Sequence, residues 1–214
     1  MIIAIDGSAA SGKGTLAKRV AAEFGYDYLD TGALYRAVAL SLLNAGAKIS
    51  NIDEKQAVNA TLTLDLSLTQ AAEIRTDKVA ALASIVAAIN PVRAELLALQ
   101  RAFAAAPPSG KGAVLDGRDI GTIVLPNADI KFFIDADLDI RAERRTKELL
   151  QAGQSVMFRD VLEDMKARDD RDRTRPVAPL KAADDAITID TSKTDATAVL
   201  ALALSYIDRV GPSE

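Results

Sequence analysis

The chain has 214 residues, 49% of them hydrophobic, so it can bury one sizeable core with small inserted lobes. It contains no cysteine and no histidine, which excludes disulfides, thiolate or imidazole metal sites and histidine-based triads. Its formal net charge of −4 argues against a nucleic-acid surface, and no apolar stretch approaches the roughly 20 residues of a membrane span. Because Met1 leads straight into an apolar run, we expect no signal peptide and a cytoplasmic location.

A glycine-rich loop follows the N-terminal apolar run, which reads as a buried strand over residues 2–5. In such a loop the backbone N–H groups turn inward around an anion, and the helix that begins near Gly14 presents its positive end to it. Lys13 adds a cation for the terminal phosphates, and Thr15 offers a hydroxyl to magnesium. A plain turn between strand and helix is the weaker interpretation. The predicted residues of the nucleoside triphosphate site are Gly7, Ser8, Ala9, Ala10, Ser11, Gly12, Lys13, Gly14 and Thr15.

The end of this loop narrows the class of protein. Gly14 stands between Lys13 and Thr15, whereas the general pattern places serine or threonine directly after the lysine. The resulting Gly-Lys-Gly-Thr ending resembles the nucleoside monophosphate kinases. The Asn-Lys-x-Asp segment of a GTPase does not occur, and we interpret Thr191 to Lys193 as the turn and cap of the last helix.

The remaining chain alternates between strand and helix patterns. Further core strands are predicted at 26–30, 114–116, 130–134 and 186–190, and strict alternation over 61–68 predicts one half-buried strand among helices. The helices are predicted at 31–45, capped by Thr31, at 52–60, from Thr76 through a bend at Pro91 to about 105, and at 195–209. In the last of these, Val199, Leu202 and Ile207 are expected on the apolar face. This order predicts an α/β fold: a doubly wound, five-stranded parallel sheet with ligand sites at the carboxyl ends of its strands.

Charged residues follow the predicted strand at 114–116. Asp116 ends this strand beside the phosphate loop, where it could hold metal-bound water, and Arg118 and Asp119 come just beyond it. A salt-bridged loop is the plainer interpretation, but the strand-end position favours a site. Arg36, in the first turns of the helix after the second strand, would by itself be interpreted as a solvated charge.

Arginine is concentrated between Arg141 and Arg175, where there are eight arginines and two lysines. Mixed charge of this kind is usually a solvated helix face, but the excess of arginine favours bidentate recognition of phosphate and carboxylate. We expect the segment at about 137–173, with Arg144 among its arginines, to be a lid that brings guanidinium groups over the γ-phosphate and excludes water.

Taken together, these motifs resemble the bacterial cytidylate kinases, and the resemblance covers nearly the whole chain. It rests on segments at 5–7, 11–15, 29–36, 73–76, 116–122, 168–173 and 178–180. It implies a P-loop core at 1–36 and 106–214, a monophosphate-binding lobe at 37–105, and transfer of the γ-phosphoryl of ATP to CMP or dCMP with Mg²⁺. The implied metal contacts are Thr15 and, through water, Asp116.

The resemblance also implies roles for single residues. Arg36 and Arg118 would hold the acceptor α-phosphate, and Arg168 and Asp172 would contact the sugar. The cytosine would be surrounded by Thr31, Ser84, Arg93, Asp119 and Arg175. Catalysis would rest on Lys13, Arg118, Asp119, Arg144 and Arg171.

Base chemistry agrees with this assignment, since cytosine presents acceptors at O2 and N3 and a donor amine at N4. Guanidinium and hydroxyl donors together with a carboxylate acceptor match that pattern. Two alternatives stay open: a kinase of another small acceptor, such as UMP or shikimate, and a P-loop ATPase that acts as a switch. We expect ATP and CMP or dCMP as partners, no nucleic acid, no membrane, and a monomer.

Overall fold

The computed structural model describes residues 1–211. A parallel five-stranded sheet forms its centre, in the order β2-β3-β1-β4-β5. The strands are β1 (Ile2–Gly7), β2 (Asp27–Asp30), β3 (Ala113–Gly117), β4 (Ile130–Asp135) and β5 (Ile187–Asp190). The α-helices among the described residues are α1 (Lys13–Phe24), α2 (Thr31–Asn44), α3 (Glu54–Leu62), α4 (Asp77–Val86), α5 (Asn90–Ala105), α6 (Leu138–Gln151), α7 (Phe158–Thr174) and α8 (Ala196–Val210). The predicted doubly wound α/β fold is therefore confirmed.

Strand β1 lies in the middle of the sheet because it is apolar on both faces. Ile3 pairs with Val114 on β3 and with Ile130 on β4, and Ile3 and Ile5 are fully buried. A strand covered on both sides has no polar face, which explains its continuous hydrophobic run. The phosphate loop starts directly at the carboxyl end of this strand, the edge at which open α/β sheets bind ligands.

Two compact units share the chain. The larger consists of Met1–Leu29 and the chain from Ala106 onward, and the smaller is Asp30–Ala105. The predicted domain boundaries at residues 36 and 106 remain a prediction. The division into units differs from them in one respect: residues 30–36 fall in the smaller unit, because α2 is one continuous helix. Residues 212–214 of the predicted core lie outside the described residues.

The prediction of a strand over residues 61–68 was wrong. Helix α3 continues to Leu62, and residues Leu66–Gln70 form a 3₁₀ turn. Local side-chain bonds explain the outcome: Thr61 and Thr63 donate to the carbonyls four residues earlier, and Asp65 accepts from the backbone N–H of Ser67. Such bonds compete with strand pairing, so the alternation of threonine and leucine was not a sheet signal.

Three smaller expectations need correction. Asp30, not Thr31, caps α2, because its Oδ1 accepts from the backbone N–H of Ala33 at 2.9 Å. The last helix is capped by Asp195, so residues 191–193 form no part of the cap. Leu202 is 43% exposed, and Ala203 takes the buried position on that face of α8.

The bend predicted at Pro91 is present, with α4 and α5 crossing at 99°. Thr76 caps α4 as expected. Within residues 1–211, no single helix is both long and apolar enough to cross a bilayer; α4 and α5 reach that composition only as a pair joined across this bend.

Candidate active site

The phosphate loop connects β1 to α1 and is shaped by close backbone packing. A Cβ on Gly7 would lie 1.9 Å from the carbonyl oxygen of Ile134, so only glycine allows β4 to approach here. Ala10 and Gly12 have φ angles of 56° and 90°, which turn the loop back toward the start of α1. Nζ of Lys13 donates to the carbonyl of Ser8 at 3.3 Å. The first N–H groups of α1 have no partner inside the helix and are placed to bind an anion.

Side chains from three other elements hold this loop in place. Ser8 donates from Oγ to Oδ1 of Asp135 at 2.5 Å, at the end of β4. Arg141 on α6 donates to the carbonyl of Ala9 at 3.3 Å, and Thr191 after β5 donates to the carbonyl of Ser11 at 2.9 Å. Neither Asp135 nor Thr191 was expected in the site from the sequence. Their position at strand ends was the signal that could have identified them.

Asp116 lies at the end of β3, beside the start of α1. Its Oδ1 accepts from the hydroxyl of Tyr28 at 2.9 Å, and a Cβ on Gly14 would lie 3.4 Å from its Oδ2. The carboxylate therefore lies close to the start of α1. Neighbouring carboxylate and hydroxyl oxygens are the ligands that Mg²⁺ uses together with substrate phosphates and water. Residues 1–211 contain no cluster of three or more histidine, cysteine, aspartate or glutamate side chains able to hold a metal by themselves.

Three arginines and two carboxylates meet in the larger unit beyond β3. Arg118 donates from Nε to Oδ2 of Asp172 at 3.0 Å, and Nε of Arg168 lies 4.0 Å from the same oxygen. Nη2 of Arg175 lies 3.8 Å from Oδ1 of Asp119. We call these five residues the arginine-carboxylate cluster. The structure thus brings together residues that the sequence places in two segments about 50 positions apart.

The charge balance of this cluster keeps Asp172 ionised. Burial would raise the pKa of its carboxyl group, but the guanidinium groups of Arg118 and Arg168 outweigh burial, and the pKa is lowered. Arg175 acts in the same direction. The cluster therefore offers fixed positive charge around one carboxylate, an arrangement suited to binding a phosphorylated polar ligand.

Asp6, on the strand that leads into the phosphate loop, is a further buried carboxylate that the sequence analysis mentioned only within a motif. Its two oxygens accept from the backbone N–H groups of Ile120 and Gly121 at 2.8 and 2.7 Å. Burial raises the pKa of Asp6 to about 7, although these two hydrogen bonds oppose the rise.

The arginines of α6 and α7 differ in their surroundings. Arg141 is 2% exposed and donates to Asp169 at 2.6 Å and to the carbonyl of Ala136 at 2.8 Å. Arg144 donates to both the hydroxyl and the carbonyl of Thr191, at 3.0 and 2.6 Å. Arg171, in the last turn of α7, is exposed. That these guanidinium groups cover the terminal phosphate stays a prediction.

The remaining predicted residues lie in the smaller unit. Arg36 forms an ion pair with Asp30, in which Nη2 lies 2.7 Å from Oδ2. Thr31, the residue after Asp30, is buried. Arg93 is 8% exposed, and its Cζ lies 5.9 Å from the centroid of the Tyr35 ring. The hydroxyl of Ser84, on α4, is buried and has no hydrogen-bond partner among the described residues. A buried hydroxyl of this kind is available to a ligand.

Comparison with known proteins places this geometry in a family. The family model described as cytidylate kinase matches residues 3–209. The chain belongs to the cytidylate kinase family. A cytidylate kinase of Paramagnetospirillum magneticum is 53% identical over 206 residues, which cover 96% of this chain and 97% of that protein. A second cytidylate kinase, from Rhodopseudomonas palustris, is 50% identical over 98% of this chain and 97% of its own length.

Among solved structures, an uncharacterised protein from Eubacterium ventriosum superposes with a TM-score of 0.55 at 18% identity, covering 97% of this chain and 98% of its own. At that identity the likeness concerns the fold alone. Membership of the cytidylate kinase family makes the chain a kinase and a nucleotide-binding phosphotransferase.

Proposed function

We propose that the chain transfers the γ-phosphoryl group of ATP to CMP, and to dCMP, by direct in-line displacement. Family membership over residues 3–209 supports the reaction. The arginine-carboxylate cluster is the single observation that carries the proposal, because a P-loop switch would need no second group of buried arginines and carboxylates suited to bind an acceptor. Transfer of this kind depends on positioning and charge neutralisation more than on a strong protein base.

The donor site is the phosphate loop. The backbone from Gly7 to Thr15 would cradle the β- and γ-phosphates, with Lys13 following the charge that moves during transfer. Mg²⁺ supplies charge neutralisation on the phosphate oxygens, and Thr15 would contact it directly while Asp116 would hold one of its waters. The fit rests on the position of the Asp116 carboxylate, whose Oδ2 lies beside Gly14 in the first turn of α1, next to Thr15 in sequence.

For the acceptor CMP, we propose one set of contacts for each of its parts: the phosphate, the sugar and the base. Arg36 and Arg118 would take the α-phosphate, and Arg168 and Asp172 the sugar. Buried polar groups support the assignment of the base site, since the Ser84 hydroxyl has no hydrogen-bond partner among residues 1–211. The residues proposed to surround the cytosine are Thr31, Ser84, Arg93, Asp119 and Arg175.

We further propose that α6 and α7 form the lid, with Arg144 and Arg171 acting on the transferred phosphoryl group. The exposed Arg171 supports this role, because an exposed guanidinium is free to bind phosphate when the lid closes. Arg144 would have to exchange its bonds to Thr191 for phosphate oxygens. We also propose that the chain acts as a monomer.

A coupled assay of ADP formation tests the proposed function. We expect rapid turnover with CMP and dCMP, weaker turnover with UMP, and near-background rates with AMP, shikimate or no acceptor. ATP hydrolysis at the same rate with and without CMP would support the ATPase switch instead. Size-exclusion chromatography with light scattering would test the monomer.

A further inference from the structure

The segment after β3 adopts an unusual backbone conformation. Residues Ile120–Val124 form a π-helical turn, in which the carbonyl of Asp119 accepts from the N–H groups of Ile123 and Val124 at 2.9 and 3.1 Å. Single π turns are rare and are frequently found at functional sites. This turn follows directly on Arg118 and Asp119, which belong to the arginine-carboxylate cluster. Whatever fixes the turn therefore fixes these two side chains.

Asp6 fixes the turn from the neighbouring strand. The N–H groups of Ile120 and Gly121 open the turn and have no partner within it. Both are taken by the Asp6 carboxylate, one by each oxygen, at 2.8 and 2.7 Å. The residue is 3% exposed, so water does not compete for these bonds. Because Asp6 directly precedes Gly7, one side chain connects the strand end of the phosphate loop to the turn.

Lys131 also packs against this turn. It is a buried lysine on β4, and its Nζ donates to the carbonyl of Pro126 at 2.5 Å and to Asp185 at 2.9 Å. Its aliphatic stem passes beneath the turn so closely that a Cβ on Gly121 would lie 3.0 Å from its Cδ. Side chains from two different strands of the sheet thus contact the start of the turn, and Nζ of Lys131 also binds the chain just after it.

We propose that Asp6 is a positioning residue for phosphoryl transfer: it sets the place of Arg118 and Asp119 relative to the phosphate loop. The proposal rests on the acceptor role proposed above for these two residues. Because the Asp6 carboxylate belongs to β1, it moves together with the phosphate loop that follows this strand. The donor and acceptor groups of the larger unit therefore keep one fixed separation. A displacement of about 1 Å in such a geometry lowers the rate by about 100-fold.

The decisive variant is Asp6→Asn, in which the amide keeps one acceptor oxygen and turns an N–H₂ group toward the second backbone N–H. The matched control is Asp129→Asn. Asp129 also accepts a backbone N–H of β1, that of Ile2 at 2.5 Å, but at the opposite end of the strand. Both variants remove a carboxylate that belongs to β1 or binds its backbone. Only Asp6→Asn changes a side chain that binds the turn.

We expect Asp6→Asn to lower kcat/KM for CMP by about 10- to 100-fold. The Kd of a non-hydrolysable ATP analogue, measured by calorimetry, should change by less than about twofold in both variants, since the phosphate loop itself is intact. Asp129→Asn should retain kcat/KM for CMP. Equal effects of the two variants on CMP, or a loss confined to ATP, would overturn the proposal.

Two further variants separate the possible failures. Lys131→Met keeps the aliphatic stem and removes the bonds of Nζ, so it should show the same selective loss for CMP even where Asp6→Asn does not fold. The proposal would be overturned if Lys131→Met kept an unchanged kcat/KM for CMP, whether Asp6→Asn is active or fails to fold. Arg118→Met tests the acceptor role separately: normal CMP kinetics in that variant would refute the proposed acceptor site, whereas a loss there with normal Asp6→Asn kinetics would refute only the positioning role.

Discussion

Arg118 and Asp172 lie 54 positions apart in the sequence, yet Nε of Arg118 donates to Oδ2 of Asp172 at 3.0 Å. One side chain comes from the turn after β3 and the other from α7. Their side chains are 16% and 9% exposed, so the pair is largely shielded from water. This contact ties the strand-end motif to the arginine-rich segment, and it determines what removal of either partner should do.

Asp172→Asn should lower kcat/KM for CMP, dCMP and UMP together. The substitution removes the counter-charge of Arg118, the residue proposed to hold the phosphate that all three acceptors carry. Leaving a buried polar partner unsatisfied costs about 1–3 kcal/mol, equivalent to roughly 5- to 150-fold, and more when the partner is charged. Steady-state kinetics with the three acceptors will check this. An additional loss for the ribonucleotides over dCMP would report the proposed sugar contact of Asp172, whereas unchanged kcat/KM for all three acceptors would contradict its support of Arg118.

Arg175→Met should give the opposite pattern, narrowing the gap between CMP and UMP. Nη2 of Arg175 lies 3.8 Å from Oδ1 of Asp119. Both residues are proposed to face the base, the part in which CMP and UMP differ. We expect kcat/KM for CMP to fall by about 10-fold or more, while that for UMP changes less. Identical proportional losses would show that Arg175 supports folding and does not read the base.

Lys13→Ala should lose about 100-fold or more in kcat, because the ammonium group acts on charge that develops during transfer. Binding of an ATP analogue should weaken less, since the backbone of the phosphate loop remains. Pre-steady-state kinetics and calorimetry will separate the two effects. A near-normal kcat, with folding intact by circular dichroism, would contradict the assigned role.

Arg141→Met should destabilise the fold by about 3–5 kcal/mol, because it leaves the buried carboxylate of Asp169 without its partner. It also removes the hydrogen bond to the carbonyl of Ala9 in the phosphate loop. The control is Arg159→Met, whose ion pair with Glu163 is 82% and 66% exposed and should contribute less than about 1 kcal/mol. Chemical denaturation will measure both, and similar stabilities would contradict the anchoring role of Arg141.

The pH dependence of stability should report on Asp6. Its pKa is raised to about 7 in the folded chain from an ordinary value of 3.8, so the folded state binds this proton more tightly than the unfolded state. The associated stability is fully present below about pH 4 and is lost as the pH rises through about 7, amounting to at most about 4 kcal/mol. Denaturation of the native chain and of Asp6→Asn between pH 4 and 8 will test this. Parallel pH profiles would show that Asp6 does not titrate in this range.

The sequence by itself determined the phosphate loop, the α/β alternation and the family. These signals are local: a strand, a glycine-rich turn and a helix start need only neighbouring residues to be recognised, as the segment from Ile2 to Thr15 shows. Family membership followed from several such motifs in one order. The sequence was misleading at 61–68, where the hydroxyls of Thr61 and Thr63 bond to the backbone and support a helix end in place of a strand.

Only the tertiary structure decided which charged residues pair with one another. Arg141 and Arg144 belong to one arginine-rich helix, and a catalytic role was predicted from the sequence for Arg144 alone; in the fold Arg141 is buried against Asp169 and Arg144 is bound to Thr191. The roles of Asp6 and Lys131 likewise depend on which strands are neighbours in the sheet. Hydrophobic and turn patterns are set by adjacent residues, whereas the partner of a buried charge is set by burial and by the packing of distant segments, so it is decided only when the chain folds.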